Sequence, residues 1–379
     1  MRVLMVSDVY FPRINGVSTS IETFRHALAD HGVEVRVVVP RYGDEPEQAG
    51  VARVAGRPVP RDPEDRMVAW RAMRDTVRKH AADCDLVHIQ TPFAAHYTGL
   101  RAGRREGVPV LATYHTLFEE YLQHYAPILP AAALRALARH FSRRQCNALD
   151  GIVVPSLAMR TRLNEYGVKR PIHVLPTGIP LGRFSGGNRD RFRAAHGIGA
   201  GRPLALFVGR VGHEKNIGFL FEMMVAALRK CPDLLLLVAG EGPALPALRA
   251  KAAGHGLGES VRFAGYLDRH RDLPDCYAAA DVFVFASRTE TQGLVLLEAM
   301  AVGLPVVALA HMGTVDILAP GQGCRVPPET PRGFADAVVE IVSDAALRAR
   351  LGREARAHAR NWSDHAMASR LATLYRSYA

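Results

Sequence analysis

Short runs of apolar, largely β-branched residues separated by stretches of helical periodicity constrain this chain more than any other feature. Val3–Val6, Val35–Val39, Leu86–Ile89, Val108–Thr113 and Gly151–Val154 form a first set. Ala205–Val208, Leu234–Val238, Val261–Phe263, Val282–Phe285 and Val306–Leu309 form a second. Runs this short and this apolar are strands buried on both faces, and helices between them make the sheets parallel, as in βαβ units. Between the sets lies Pro176-Thr-Gly-Ile-Pro180-Leu-Gly182, followed by Ser185-Gly-Gly-Asn188, a change of composition that reads as a linker. A chain of 379 residues also exceeds what one core usually organises. The predicted class is therefore α/β, with two Rossmann-like, doubly wound domains over residues 1–178 and 179–361. A helical pattern over 362–379 places Met367, Leu371 and Leu374 to pack back on the first domain. Open parallel sheets bind ligands beyond the carboxyl ends of their strands, so two such domains facing each other across a cleft would line it with post-strand loops.

Composition narrows the partners. No apolar stretch reaches the ~20 residues a membrane span needs, and Met1–Ser7 is too short for a signal core and reads as a first strand. The five cysteines are odd in number and scattered, with no C-x-x-C pair. That suggests neither a disulfide framework nor a zinc site, and the expected setting is a reducing cytoplasm. A net charge of +11 favours an anionic partner, whether nucleic acid, nucleotide or membrane surface. With 7% aromatic residues and no basic stripe interleaved with aromatics, nucleic-acid binding is disfavoured.

Five constellations stand where chemistry is expected. After Ala205–Val208 comes Gly209-Arg210-Val-Gly-His-Glu-Lys215-Asn216 and then an amphipathic helix. Two cations at a strand-to-helix crossing suit a diphosphate, because the helix amides and dipole there already favour anions. After Val282–Phe285 comes Ser287-Arg-Thr-Glu290-Thr-Gln-Gly293-Leu-Val-Leu-Leu-Glu298. A helix starting near Gly293 puts Glu298 on its second turn and leaves Glu290 in the loop, so the two carboxylates have separate tasks among sugar or ribose hydroxyls. Between strand one and its helix lies Ser7-Asp8-Val-Tyr10-Phe-Pro-Arg-Ile-Asn15-Gly16-Val17, where Gly16 permits close backbone approach to a phosphate. His115, in Tyr114-His-Thr116, follows Val108–Thr113 and is either a structural histidine or a site residue. Lastly, Tyr121–Leu149 has no acidic residue and carries Arg135, Arg139, Arg143 and Arg144. Leu134, Leu137 and Phe141 adjoin these arginines, so the helix either binds an anionic membrane surface or packs its apolar face on its own sheet.

Taken in order, Asn15-Gly16-Val17, Tyr114-His115-Thr116, Gly209-Arg210 with Lys215-Asn216, Ala239-Gly-Glu-Gly-Pro243, Phe263-Ala-Gly-Tyr266-Leu267 and the E-x7-E pair Glu290 and Glu298 resemble the retaining glycosyltransferases of the GT-B fold, family 4. The resemblance covers nearly the whole chain. It implies that Glu298 holds the donor ribose and that Glu290 contacts the transferred sugar. Arg210 and Lys215 would neutralise the diphosphate, with backbone at Gly16 and at Gly293, Leu294 and Val295 completing the cradle. His115 would contact sugar hydroxyls, and the backbone at Tyr266 and Leu267 would hold the base. The acceptor side would involve Tyr10, Asn15 and the arginine-bearing helix. No cofactor is implied, and no D-x-D pair is placed for a metal. Within the family, Thr289–Val295 and Tyr114–Tyr121 look like the enzymes that glucosylate diacylglycerol, which implies UDP-glucose as donor and a lipid acceptor at an anionic membrane surface. The protein would then be peripheral on the inner face of the cell membrane. A GDP-mannose-dependent mannosyltransferase is the alternative donor reading. A nucleotide-sugar 2-epimerase, which shares the architecture, is the rival of another class.

Overall fold

The computed structural model of the chain describes residues 1–59, 62–115, 131–269 and 271–379, and it contains two compact units. Met1–Gly178 together with Asp364–Ala379 forms the first, and Ile179–Ser363 the second.

The first unit is built on strands β1 (Arg2–Val6), β2 (Glu34–Pro40), β3 (Val51–Val54), the hairpin β4 (Gly56–Val59) and β5 (Asp62–Val68), then β6 (Leu86–Ile89), β7 (Val110–Thr113), β8 (Gly151–Val154) and β9 (Ile172–Val174). Seven of them make a sheet in the order β3-β2-β1-β6-β7-β8-β9, parallel at every pairing. Val3 sits opposite Val35 on one side and Leu86 on the other, and all three are buried. Such strands read as unbroken apolar runs because helices cover both faces. The last helix, Asp364–Tyr378, contributes Met367, Leu371 and Tyr375 to this core, with Leu374 packed at its margin. Trp362 does not belong to that helix. It packs against the core of the second unit, and its carbonyl accepts from the Ile179 amide at 2.9 Å.

The second unit carries β10 (Leu204–Val208), β11 (Leu235–Ala239), β12 (Val261–Gly265), β13 (Val282–Phe285), β14 (Val306–Ala308) and β15 (Cys324–Arg325), in the order β12-β11-β10-β13-β14-β15 and again wholly parallel. Strands β10, β11, β13 and β14 are buried along their whole length, and the rings of Phe207 and Phe285 stack with centroids 6.0 Å apart.

The apolar runs anticipated ten of these strands and missed β3, β4, β5, β9 and β15. All five are short or lie at a sheet edge, and their residues are mostly half-exposed, so no continuous apolar run marks them. In both sheets the strand order reverses at one place, at β1 and at β10. Loops leaving neighbouring strands on either side of such a reversal run in opposite directions and leave a crevice at the carboxyl ends.

The loop that leaves β10 is held backbone to backbone against the loop that leaves β11. The Gly209 amide donates to Ala239 O at 3.0 Å and the Val211 amide to Glu241 O at 2.8 Å. Gly240 has φ +136°, and a Cβ there would stand 2.0 Å from Gly209 O. Gly240→Ala is therefore expected to destabilise the second unit by about 1–3 kcal/mol and to push the Gly209–Arg210 turn outward. A urea melt of the variant with an unchanged midpoint would contradict this.

Candidate active site

The reversal between β10 and β13 gathers the charged residues. From β10 the chain passes Gly209 and Arg210 into the short turn His213–Lys215, then through Asn216, in the left-handed conformation at φ 54°, into the helix Ile217–Ala227. The Asn216 side chain donates to Ala286 O at 3.2 Å and so ties this turn to the end of β13. From β13 the chain passes Ser287 and Glu290 to Gly293 at φ 94°, which opens the helix Leu294–Ala301 with no side-chain cap. The two loops meet in an ion pair. Lys215 Nζ lies 2.5 Å from Glu290 Oε2, with the two side chains 19% and 20% exposed. Further support comes from the Gly313 amide, which donates to Glu290 O at 2.8 Å.

Arg210, on the same turn, rests on Glu214 at 3.0 Å and is more open to solvent. Burial raises the Glu214 pKa, but its own backbone amide and Arg210 outweigh this and hold the group below its ordinary value. Arginine and lysine thus each carry a carboxylate partner, which an incoming anion would have to share. The uncapped helix end at Leu294 and Val295, both half-exposed, offers amides to an anion without any rearrangement.

Glu298 is buried, as expected for the second turn of that helix. Its Oε2 accepts from Tyr277 Oη at 2.8 Å and its Oε1 from Arg269 Nη2 at 3.2 Å. Arg269 belongs to the turn after β12, the same turn that presents Tyr266, exposed, and Leu267, half-buried. Glu290 and Glu298 therefore have different neighbours and different degrees of burial, in keeping with two tasks.

In the first unit, His115 leaves the end of β7 and its Nε2 lies 3.0 Å from Gln90 Oε1. With the amide oxygen as acceptor, the ring is the Nε2–H tautomer and Nδ1 keeps its lone pair. Burial pushes the His115 pKa down to about 4, so the ring is neutral near pH 7. Asn15 caps the helix Gly16–Ala27, its Oδ1 accepting from the Ser18 amide at 2.9 Å. A side chain at Gly16 would meet no described atom, so the chain's own packing does not demand glycine there.

One acceptor-side expectation is corrected. Tyr10 is a core residue, packed with Ile21 and Phe24, and its hydroxyl bonds Glu22, which leaves it no surface for an acceptor or a membrane. Asn15 caps its helix through Oδ1 and remains half-exposed. Of the basic segment, residues 121–130 lie outside the described residues, as do residues 116–121 of the motif that begins at Tyr114. The rest forms the helix Ala131–Asn147. Leu134 turns inward, as the self-packing alternative has it, while Arg135, Arg139, Arg143 and Arg144 are exposed together with Leu137 (60%) and Phe141 (36%). Arg135, Arg139, His140 and Arg143 line a surface groove of about 550 Å³ beside Tyr166. Among the described residues, no three His, Cys, Asp or Glu side chains are grouped to hold a metal, and no helix is long and apolar enough to cross a membrane.

Two family models match the chain almost end to end, Glycosyltransferase Family 4 over residues 14–183 and Glycosyl transferases group 1 over residues 188–358. An alpha-monoglucosyldiacylglycerol synthase of Streptococcus pneumoniae is 32% identical over 81% of this chain and 71% of its own length. The chain belongs to glycosyltransferase family 4. A GDP-mannose-dependent alpha-mannosyltransferase of Mycobacterium tuberculosis is 30% identical over 93% of both chains. HepE of Anabaena, solved in complex with UDP, shares the fold over the whole of both chains with a TM-score of 0.78 at 18% identity. The motif resemblance and the GT-B class of two Rossmann-like domains both hold.

In this glycosyltransferase the structure adds residues that the motifs did not single out. Gln90, at the end of β6, orients His115, and its signal was a polar residue directly after an apolar strand. Tyr277 and Arg269 hold Glu298 from another helix and another loop. Nothing in their local sequence marks them.

Proposed function

We propose that this glycosyltransferase moves a hexose, glucose foremost, from a UDP-sugar to diacylglycerol or a similar lipid at an anionic membrane surface, with retention of configuration and without a metal. The observation that carries the donor half is the Lys215–Glu290 pair beside the uncapped helix end at Leu294, at the strand reversal of the second unit. Charge develops on the leaving diphosphate as the glycosidic bond breaks. Fixed cations and amides stabilise that charge without reorganising. Lys215, Arg210 and the amides of Leu294 and Val295 take this role, aided by backbone at Gly16 and Gly293. Glu298 takes the ribose diol, the backbone of Tyr266 and Leu267 the base, and Glu290 the hydroxyls of the transferred sugar. His115, neutral with a free Nδ1 lone pair, accepts from a sugar hydroxyl near the reacting carbon.

The acceptor half rests on the similarity to a glucosyldiacylglycerol synthase and on the helix Ala131–Asn147, where Leu137 and Phe141 stand exposed among four arginines. Apolar side chains flanked by cations bind anionic leaflets by burial plus electrostatics, about 1 kcal/mol per basic group near the surface. A second reading, GDP-mannose as donor, is favoured by the mycobacterial relative that matches over nearly its full length.

The test combines a thermal-shift screen of UDP- and GDP-sugars with transfer to diacylglycerol in phosphatidylglycerol or phosphatidylcholine vesicles. UDP-glucose is expected to raise the melting temperature, and transfer is expected to be faster on the anionic vesicles, insensitive to EDTA, and to give the α-anomer. Stabilisation by GDP-mannose alone would select the second reading. Equal transfer to a soluble sugar without vesicles would end the lipid assignment.

A further inference from the structure

Glu298 is the most buried carboxylate of the candidate donor site, and both its oxygens are occupied by groups of opposite character. Tyr277, on the helix Asp272–Ala279, has no solvent exposure. Its ring is wedged between Phe184, edge-on at 5.9 Å, and Phe283 at 6.0 Å. Its hydroxyl therefore has one position, 2.8 Å from Oε2. Arg269 is different. Its side chain is 21% exposed, it stands on a surface turn, and it reaches Oε1 at 3.2 Å through the end of a long flexible stem.

We propose that Tyr277 is the positioning residue for Glu298 and that Arg269 is a displaceable occupant of Oε1, which yields that oxygen to a vicinal diol of the bound nucleotide. The inference rests on the ribose reading of Glu298 given above and deepens it. A carboxylate reads a diol only if its plane is fixed, because two hydroxyl donors must meet defined lone pairs. Tyr277 supplies the fixed point. Burial, and then the neighbouring Glu298 charge, raise its pKa well above the ordinary value, so the hydroxyl stays a donor throughout the working range. Arg269 satisfies the other oxygen while the site is empty, when a buried carboxylate with an unmet oxygen would be costly. Displacement of Arg269 opposes binding, and this lowers nucleotide affinity without loss of selectivity for the diol.

The experiment compares UDP with 2′-deoxy-UDP by calorimetry in the intact protein and its variants, with GDP and its deoxy form as a parallel pair. A site built to bond a hydroxyl rejects the analogue that lacks it. The wild-type protein is expected to prefer UDP by about tenfold or more, and Glu298→Ala to abolish the preference. Tyr277→Phe, which keeps the ring packing but leaves Oε2 without its donor, is expected to reduce the preference to less than about threefold and to lower the melting temperature by only a few degrees, so that the variant stays folded. A merely structural tyrosine would weaken both nucleotides alike and leave the preference intact, which would overturn the proposal. Arg269→Met, at a site open enough to tolerate it, is expected to keep the preference and bind UDP several-fold more tightly. If it lost the preference instead, Arg269 would not be displaceable. A wild-type protein indifferent to the 2′-hydroxyl would remove the ribose assignment, and the inference with it. Transfer activity, measured separately, would still decide the wider function.

Discussion

Lys215→Met is expected to lower turnover by about 10²- to 10³-fold, the range found when one fixed stabiliser of developing charge is removed from an active site. Lys215 ends the turn that leaves β10 and lies 2.5 Å from Glu290. Its loss has two effects that act in the same direction. Under the proposed function the leaving diphosphate would lose a cation, and Glu290, half-buried, is left without the positive charge that balances it. Because charge grows on the diphosphate as the bond breaks, kcat should fall more than donor affinity. Lys215→Arg keeps the charge but changes its geometry, so it should recover part of the loss. Steady-state kinetics check this. A kcat for Lys215→Met within threefold of wild type would remove Lys215 from the reaction.

Acid is expected to unfold the first unit before the second. Burial pushes His115 down to about 4; burial and nearby His115 push His88 to about 3; burial and nearby Arg104 push His96 to about 4. All three lie in Met1–Gly178. In the unfolded chain such histidines take up a proton near pH 6.5, whereas in the folded unit they stay neutral until pH 4 or below. Between those values the unfolded state binds more protons, so stability falls as pH falls, by about 1.4 kcal/mol per pH unit for each histidine. Glu22 extends the loss downward. Burial raises its pKa, but Arg25, Tyr10 and His26 outweigh this and hold it at about 2, so its stabilising contribution is present above 4.5 and is lost as pH drops towards 2. The chain has two tryptophans, Trp70 in the first unit and Trp362 in the second. Single Trp→Phe variants therefore report the units separately. If Trp362 fluorescence changed first on acidification, or both changed together above pH 6, the expectation would fail.

Much of the candidate site is legible in the sequence. Lys215, Glu290 and Glu298 lie at the ends of apolar runs and at glycine-opened helix starts, and that context places them at the carboxyl ends of parallel strands. The same reasoning found His115 at the end of β7. It failed for Tyr10, because a tyrosine in a loop between strand and helix looks exposed in sequence, and only the packing of Ile21 and Phe24 shows that it is core. For the helix Ala131–Asn147 the local pattern left two readings open, and only the packing shows Leu134 turned inward while Leu137, three residues on, points to solvent.

The sequence by itself determined the two parallel sheets, the loops that bear charge and the order of motifs that marks the family. These depend on local periodicity and on backbone needs at single residues, which are written in short stretches of chain. Tertiary structure alone decided the partners. Lys215 and Glu290 are 75 residues apart, and Gln90 and His115 are 25 apart. Tyr277 and Glu298 are separated by 21 residues, Arg269 and Glu298 by 29. Each pair meets because the sheet order brings separate loops or helices together, and no local preference encodes a distance between them. The two glutamates were therefore visible as carboxylates from the start, but what holds each one, a lysine for Glu290 and a buried tyrosine with a half-buried arginine for Glu298, came only from the fold.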